Sequence, residues 1–288
     1  EPPTWLRRQR QMCIRDRNVN GLNRYWDESA TPRPESYRED IEHAQNIANK
    51  PDFYRNIRAA CESGWDFSSR WFAITNDFST IQTTDILPID LNSYLYGLES
   101  LLGKWFAEVL EQEKASQYIK LAEKRKQLIQ KNFWNIEKGF FYDLNSKTNK
   151  ITSITSLAGI TPLFLNIATK EQAQKIAKTI EDQFLTDYGL ITTTVNTSQQ
   201  WDSPNGWAPL HFEAVIGLKN YGFDKLAETI AKRFVNIVNE KFKETGKIRE
   251  KYDVVNPKAN ASGGEYIVQD GFGWTNGVVA TFNKLYNL

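Results

Sequence analysis

A chain of 288 residues is long enough to bury a sizeable core in one large domain or two small ones. Its 36 basic and 35 acidic residues nearly cancel, so the composition gives no electrostatic footprint for nucleic acid or for an anionic membrane surface. Cys13 and Cys61 are too few for a disulfide framework, neither lies in a zinc-binding pattern, and no apolar run reaches the ~18 residues that a membrane span requires.

Residues 1–17, EPPTWLRRQRQMCIRDR, form an arginine-rich run without periodic pattern. A natural basic tail is one interpretation. We favour another, because QMCIRDR resembles translated sequencing-adapter sequence joined to a broken reading frame, and we therefore exclude this segment from fold reasoning. On this interpretation the natural protein sequence begins inside a domain, near Asn18.

The elements that follow are predicted to be mainly helices. Ser36 and Glu39 have the spacing of a capping box, and Asp52–Cys61 predicts a helix that ends at Gly64. Gly139–Thr152 predicts a small hairpin. Further helices are predicted as a pair over residues 87–134 with a break near Gln112–Ala115, then over Ser156–Ile167, Glu171–Leu185, Trp207–Tyr221, Phe223–Phe242 and from Trp274 to the end. Strand signals are sparse, so the pattern predicts an all-α solenoid of helical hairpins with its loops gathered at one end.

One stretch stands out, Gln200–Pro209, with the sequence QWDSPNGWAP. Its Pro-Asn-Gly triplet predicts a chain reversal directly before a helix. That turn would place Trp201, Asp202 and Trp207 near the mouth of the helix, where flat indole faces beside a carboxylate suit the binding of sugars. A tryptophan-rich turn that only packs is the alternative, since pockets and cores both use aromatic residues. The high aromatic content, with 9 Trp, 12 Tyr and 16 Phe, also suits a carbohydrate cleft.

QWDSPNGWAP resembles one of the two diagnostic motifs of the trehalases, the family-37 glycoside hydrolases. Other stretches agree with that family in order and spacing: PRPESYRED at Pro32–Asp40, ESGWDFSSRW at Glu62–Trp71, EKYD at Glu250–Asp253, GGEY at Gly263–Tyr266 and QDGFGWTNG at Gln269–Gly277. The resemblance runs from about Asn18 to Leu288. The family's other diagnostic motif, an upstream segment with arginine and tyrosine, has no counterpart, so we expect an N-terminally truncated catalytic domain over residues 18–288.

The resemblance implies an incomplete (α/α)6 barrel and the hydrolysis of α,α-trehalose to two glucose molecules with inversion. Two alternatives stay open: a catalytically inactive fragment that retains sugar contacts, and a related (α/α)6 α-glucosidase that acts on another substrate. No metal or organic cofactor is implied. We expect a small-molecule substrate, no nucleic-acid or membrane partner and a monomer, located in the periplasm or secreted rather than in the cytoplasm.

The resemblance assigns the general acid to Asp66 and the general base to Glu250. The flanking rings of Trp65 and Phe67 would leave the Asp66 carboxyl poorly solvated, and this predicts a raised pKa, as a general acid needs. An N-cap role for the Ser68–Trp71 segment is the alternative for Asp66. For Glu250 the alternatives are one half of a surface ion pair with Lys251 and a helix cap. For inversion the two carboxyl groups are expected ~6.5–9.5 Å apart, with room for a water.

Substrate contacts are implied for nine further residues, for which the alternatives are a surface ion pair, a helix cap or plain packing. Arg33 and Glu35 would bind glucose hydroxyls from a proline-stiffened loop, and Gly64 would let the substrate approach the backbone. The Val254–Gly264 segment resembles the family's loop over the occupied site, although its glycine run is shorter here. The remaining assigned residues are Gln200, Trp201, Asp202, Glu265, Phe272 and Trp274. The two histidines, His43 and His211, lie far apart in the chain, and core or surface roles are expected for both.

Overall fold

The computed structural model describes residues 17–259, 261, 263–264 and 268–288. These divide into two compact units. The first contains residues 17–132 and the excursion Asp143–Thr152, and the second contains Phe133–Tyr142 and the chain from Ser153 to Leu288. The N-terminal segment up to residue 16 lies outside the described residues.

The first unit is helical with short strand pairs at its loops. Its helices are α1 (Tyr37–His43), α2 (Lys50–Ser63), α3 (Ile89–Glu108) and α4 (Gln112–Asn132), with 3-10 turns at Pro34–Ser36, Ser69–Trp71, Phe78–Thr80 and Thr83–Asp85. Strand β1 (Asn18–Val19) pairs with β2 (Leu22–Asn23), and β3 (Ile86–Leu87) pairs with β6 (Leu144–Asn145), which also pairs with β7 (Lys150–Ile151). Helices α3 and α4 are the predicted pair. The predicted break at Gln112–Ala115 is wrong, because the first helix ends at Glu108 and Gln112–Ala115 forms the first turn of α4.

The second unit is likewise helical with short strand pairs at its loops. Its helices are α5 (Thr161–Phe164), α6 (Lys170–Thr179), α7 (Ala208–Asn220), α8 (Asp224–Thr245) and α9 (Gly273–Tyr286); Leu157–Ile160 is a 3-10 turn and Ile180–Phe184 a π turn. The antiparallel strand pairs are β4 (Trp134–Asn135) with β5 (Phe140–Phe141), β8 (Leu185–Thr186) with β9 (Gly189–Leu190), and β10 (Asn205–Trp207) with β11 (Lys251–Asp253).

Local sequence explains the ends of α2. Asn49 caps the N-terminus by accepting from the backbone N–H of Asp52, and Pro51 fits the first turn, where its missing N–H costs nothing. Gly64 ends the helix with φ of 78°, a conformation that a β-carbon disfavours. The predicted end at Gly64 is confirmed. The capping box before α1 is wrong, because Ser36 is the N-cap residue but its side chain makes no capping hydrogen bond.

The core of the second unit surrounds His211 on α7. The backbone N–H of Leu190 donates to its Nε2 at 2.8 Å, so Nδ1 carries the proton and donates to the carbonyl of Trp207 at 2.8 Å. The ring stacks on Phe234 of α8 with centroids 4.0 Å apart. His211 therefore ties a strand and two helices together as a neutral core residue, as predicted, whereas His43 is exposed.

The chain reversal predicted at Pro204–Gly206 is formed in the structure by residues 202–205. The backbone N–H of Asn205 donates to the carbonyl of Asp202 at 3.0 Å, which closes the turn, and the Ser203–Pro204 peptide bond is cis. Asn205 and Gly206 are already in strand β10. A β-carbon on Gly206 would lie 2.7 Å from the carbonyl oxygen of Leu190, so glycine is required here for close packing rather than for a turn.

Candidate active site

In the first unit, the loop that carries Asp66 leaves α2 through Gly64. Asp66 is half-buried, and its neighbours in the sequence, Trp65 and Phe67, are buried at 6% and 2% exposure. The Asp66–Phe67 peptide bond is cis. Ser68, and not Asp66, caps the following 3-10 turn by accepting from the backbone N–H of Arg70. The capping alternative for Asp66 is therefore wrong, and its assignment as general acid stays a prediction.

Arg70 fixes this loop through ion pairs and contacts with aromatic rings. Its guanidinium donates to both carboxylate oxygens of Asp143 at 2.6 and 2.8 Å and to both of Asp90 at 2.8 and 2.7 Å. Its carbon Cζ lies 4.6 Å from the ring centroid of Trp65 and 4.5 Å from that of Trp71. Arg70 is 2% exposed, so the charges of this cluster are compensated inside the protein rather than by water. Trp65, the residue before Asp66, thus packs against the guanidinium of Arg70, which its ion pairs hold in place.

Arg33 and Glu35, the predicted sugar-binding pair, have different environments. Arg33 is 4% exposed, and its Nε and Nη2 donate to Asp40, which is fully buried. Its guanidinium carbon lies 5.2 Å from the ring centroid of Phe67, so the PRPES segment and the Asp66 loop meet at that ring. Glu35 is exposed in the Pro34–Ser36 turn. Arg33 and Glu35 do not form the surface ion pair that was the alternative for them.

In the second unit, two of the recognised motifs form one strand pair. Residues 205–207 of QWDSPNGWAP pair with residues 251–253 of EKYD, and Trp207 lies opposite Lys251. Glu250, directly before β11, is 1% exposed, and its Oε1 lies 3.2 Å from the Nζ of Lys251, which is itself fully buried. The same Nζ donates to the side-chain oxygen of Gln200. A buried ammonium therefore joins two of the predicted site residues.

The aromatic residues near this strand pair divide into a buried pair and a more accessible pair. Trp201 and Trp207 stack with centroids 3.8 Å apart and an interplanar angle of 1°, and they are 6% and 1% exposed. Phe272 and Trp274 lie 4.7 Å apart, and Trp274 is 36% exposed. Its indole Nε1–H donates to the carbonyl oxygen of Glu250 at 3.2 Å. Trp201 and Trp207 pack against each other, and the assignment of Trp201 to substrate binding stays a prediction. Trp274 presents a ring beside the predicted base.

Asp202 is fully buried and accepts hydrogen bonds from the hydroxyls of Thr193 at 3.0 Å and Thr197 at 2.6 Å. These bonds fix the turn that precedes β10. Its assignment to sugar binding stays a prediction, and the described contacts give it a structural role.

The glycines of the GGEY segment explain how that segment approaches Gln200. Gly263 and Gly264 have φ of 87° and 89°, and a β-carbon on Gly264 would lie 2.9 Å from the Gln200 side chain. Glu265, the predicted substrate contact that follows, lies outside the described residues.

Three residues that the sequence did not single out support the predicted site: Asp40, Arg70 and Lys251. Each is a charged residue inside a recognised motif, and each is at least nine-tenths buried. A charged residue in the middle of a motif is ambiguous, because surface ion pairs have the same composition. The burial that distinguishes them follows from contacts distant in sequence.

Within the described residues no group of three or more His, Cys, Asp or Glu side chains is arranged to hold a metal ion. The helices described above include none that is long and apolar enough to cross a membrane.

A model of the trehalase family matches residues 1–287 of the chain. The chain belongs to the trehalase family. Two curated relatives, both periplasmic trehalases, are those of Salmonella paratyphi B, 45% identical, and Salmonella schwarzengrund, 44% identical. Each similarity extends over 272 residues, 94% of this chain and 48% of the relative. The chain thus spans about half the length of these trehalases.

Solved structures agree with this membership. Neutral trehalase Nth1 from Saccharomyces cerevisiae is similar at a TM-score of 0.79 and 26% identity, over 94% of this chain and 54% of that one. The predicted all-α fold of the (α/α)6 type is therefore confirmed. A GH63 mannosylglycerate hydrolase from Thermus thermophilus is similar at a TM-score of 0.55 and 19% identity, over 70% of this chain and 46% of that one, and this likeness concerns the fold alone.

Proposed function

We propose that this trehalase-family chain hydrolyses α,α-trehalose to two glucose molecules with inversion at one anomeric carbon. The observation that carries the proposal is the strand pair that joins QWDSPNGWAP to EKYD and leaves Glu250 buried beside Lys251. The names of the curated relatives support trehalose as substrate and the periplasm as location. We further propose that residues 18–288 belong to one glycosidase domain and that the protein acts as a monomer without a cofactor.

In the proposed reaction two carboxyl groups act on one acetal. Asp66 donates its proton to the bridging oxygen as the bond from that oxygen to one anomeric carbon breaks. Glu250 takes a proton from a water that attacks the same carbon from the opposite face, so the new C–O bond has inverted configuration. Asp66 leaves the step ionised and Glu250 protonated, and a proton exchange with water restores both. Each role is expected to contribute on the order of 10²–10⁴ in rate.

The remaining residues are proposed to bind and orient the sugar. Trp274 and Phe272 offer ring faces for the apolar side of a pyranose. Gln200 donates from its amide, since its side-chain oxygen is occupied by Lys251. Further contacts are proposed from Arg33, whose guanidinium is held by Asp40, and from Glu35, Glu265, Trp201 and Asp202. Apart from its chain neighbours, no atom of the described residues lies within 4 Å of a β-carbon built on Gly64, which suits a close approach of the sugar.

Glucose release from trehalose and from maltose tests the proposal. We expect release from trehalose only, with the two product molecules appearing initially as one α and one β anomer by proton NMR, because inversion affects a single anomeric carbon. Asp66→Asn and Glu250→Gln should each lower kcat by on the order of 10²–10⁴. Release from maltose would favour the other α-glucosidase, and binding of trehalose without release would favour the inactive alternative; either result overturns the proposal.

A further inference from the structure

Lys251 is a buried lysine on β11, next to the predicted base Glu250. Its side chain is 0% exposed, and its Nζ lies 3.2 Å from the carboxylate of Glu250. The same nitrogen donates to the side-chain oxygen of Gln200 and lies 5.2 Å from the ring centroid of Trp207. An ammonium has three N–H donors and no acceptor. One of them serves the Gln200 side-chain oxygen, and its charge pairs with the Glu250 carboxylate.

The position of this ammonium is set by the strand pair. Lys251 lies opposite Trp207 in the β10–β11 register, and Trp207 is held in turn by its stack on Trp201. The indole N–H of Trp207 donates to the backbone carbonyl of Gln200 at 3.0 Å. The backbone and the side chain of Gln200 are therefore fixed by neighbouring residues of the same pair of strands. These contacts fix the position of the Lys251 ammonium relative to Gln200 and Glu250.

Burying an ammonium is costly unless acceptors compensate it, and here a carboxylate and an amide oxygen do so. The amide contact also has a chemical consequence. Because the Gln200 oxygen accepts from Lys251, the amide NH₂ is turned away from the ammonium, and its two N–H donors are directed elsewhere. The carboxylate of Glu250 is likewise restrained at one oxygen.

We propose that Lys251 is a positioning residue for the hydrolytic step, and this inference rests on the proposed function. It restrains Glu250 so that the carboxylate meets the attacking water, and it directs the Gln200 amide toward a sugar hydroxyl. The alternative is a purely structural ion pair in the core. The two differ in what removal of the ammonium does to turnover by a folded protein.

The test compares Lys251→Met with Lys251→Arg in trehalose hydrolysis. Methionine keeps an unbranched side chain and removes the charge and all donors, while arginine restores both. We expect Lys251→Met to lower kcat by at least about 10-fold but by no more than Glu250→Gln does, within the about 10²–10⁴ range of a general base. Lys251→Arg should recover part of that loss. In the Glu250→Gln background, Lys251→Met should cause a much smaller further loss, because residues that act through one another are not additive.

Lys241→Met is the matched control. Lys241 is also buried, at 7% exposure, and pairs with Glu244 at 3.0 Å, but it lies on α8 outside the predicted site. It should leave kcat and KM unchanged. Thermal melting of every variant identifies loss of the folded state.

The outcomes separate the two proposals. Turnover by the wild type with an unchanged kcat in folded Lys251→Met overturns the role of Lys251 alone. Equal losses from Lys251→Met in the wild-type and Glu250→Gln backgrounds would also overturn it, since the lysine would then act independently of the base. Absence of turnover in the wild type overturns the proposed function, and with it the role of Lys251.

Discussion

At the scale of single residues, Arg70 in the first unit is a buried charge that is stable only because carboxylates compensate it. One guanidinium compensates two carboxylates, Asp90 and Asp143, whose side chains are 7% and 2% exposed. Arg70→Met would leave both acids buried without their cation, so we expect the free energy of unfolding to fall by about 3–5 kcal/mol. Urea denaturation measures this change.

Arg38→Met is the control for that prediction. Arg38 pairs with Glu42, but its side chain is 85% exposed, and surface pairs of this kind contribute little because water and salt screen them. Equal effects of Arg38→Met and Arg70→Met on the denaturation midpoint would contradict the view that burial makes the Arg70 cluster important.

His211 gives stability a pH dependence. Burial lowers its pKa from 6.5 to about 4, against the opposing effect of its hydrogen bond to the carbonyl of Trp207. Above pH 6.5 the ring is neutral in the folded and unfolded chains and contributes no pH dependence. Between pH 6.5 and about 4 only the unfolded chain takes up the proton, so stability should fall as pH falls, by on the order of 3 kcal/mol in total.

Urea unfolding between pH 7.5 and 4.5 tests this expectation. His211→Gln should flatten the difference in unfolding free energy across that interval, whatever its effect at neutral pH. His43→Gln, at the exposed histidine, is the matched control. A slope that survives His211→Gln unchanged would show that other groups produce it.

At the scale of elements, the strand pair β10–β11 joins two of the recognised motifs, and Gly206 allows its close packing. A β-carbon on Gly206 would meet the Leu190 carbonyl oxygen and the Val254 side chain, both at 2.7 Å. Backbone cannot move aside as a surface side chain can, so Gly206→Ala should destabilise the protein by about 1–3 kcal/mol and impair turnover with it.

Gly277→Ala provides the opposite case. Gly277 lies inside α9, and apart from its chain neighbours and its own helix backbone no atom of the described residues lies within 4 Å of the position that its β-carbon would occupy. Alanine there should stabilise the protein by roughly 0.5–1 kcal/mol, because glycine loses more conformational entropy in a helix. Thermal melting of the two variants should therefore give shifts of opposite sign.

Elements defined by local patterns were predictable from the sequence, and those defined by distant partners were not. Gly64 ends α2 because a positive φ and the end of a periodic run are both local signals. Asn205-Gly206 has the composition of a turn, but pairing with residues 251–253 draws it into a strand. Motif resemblance named Glu250 and Gln200 as site residues, yet their link through Lys251 depends on that same long-range register. The acid and base roles of Asp66 and Glu250 stay predictions.

At the scale of the molecule, α3 leaves an apolar stripe in solvent. Tyr94, Leu98, Leu101 and Trp105 follow one another at spacings of four, three and four residues, so they share one helix face. They are 41%, 50%, 41% and 53% exposed. Helical periodicity places these residues on one face but does not say what covers that face. Contiguous exposed apolar area of this kind promotes association with other apolar surfaces.

Replacing Leu98, Leu101 and Trp105 together with glutamine should reduce this tendency without unfolding the helix, because glutamine is a good helix former. We expect lower fluorescence of a bound hydrophobic dye at 25 °C and a higher temperature for the onset of aggregation, measured by light scattering. Lys104→Gln, at an exposed polar position of the same helix, is the control and should change neither. If the triple variant binds as much dye as the wild type while remaining helical by circular dichroism, the stripe is not the surface that drives aggregation, and the apolar area responsible lies elsewhere on the chain.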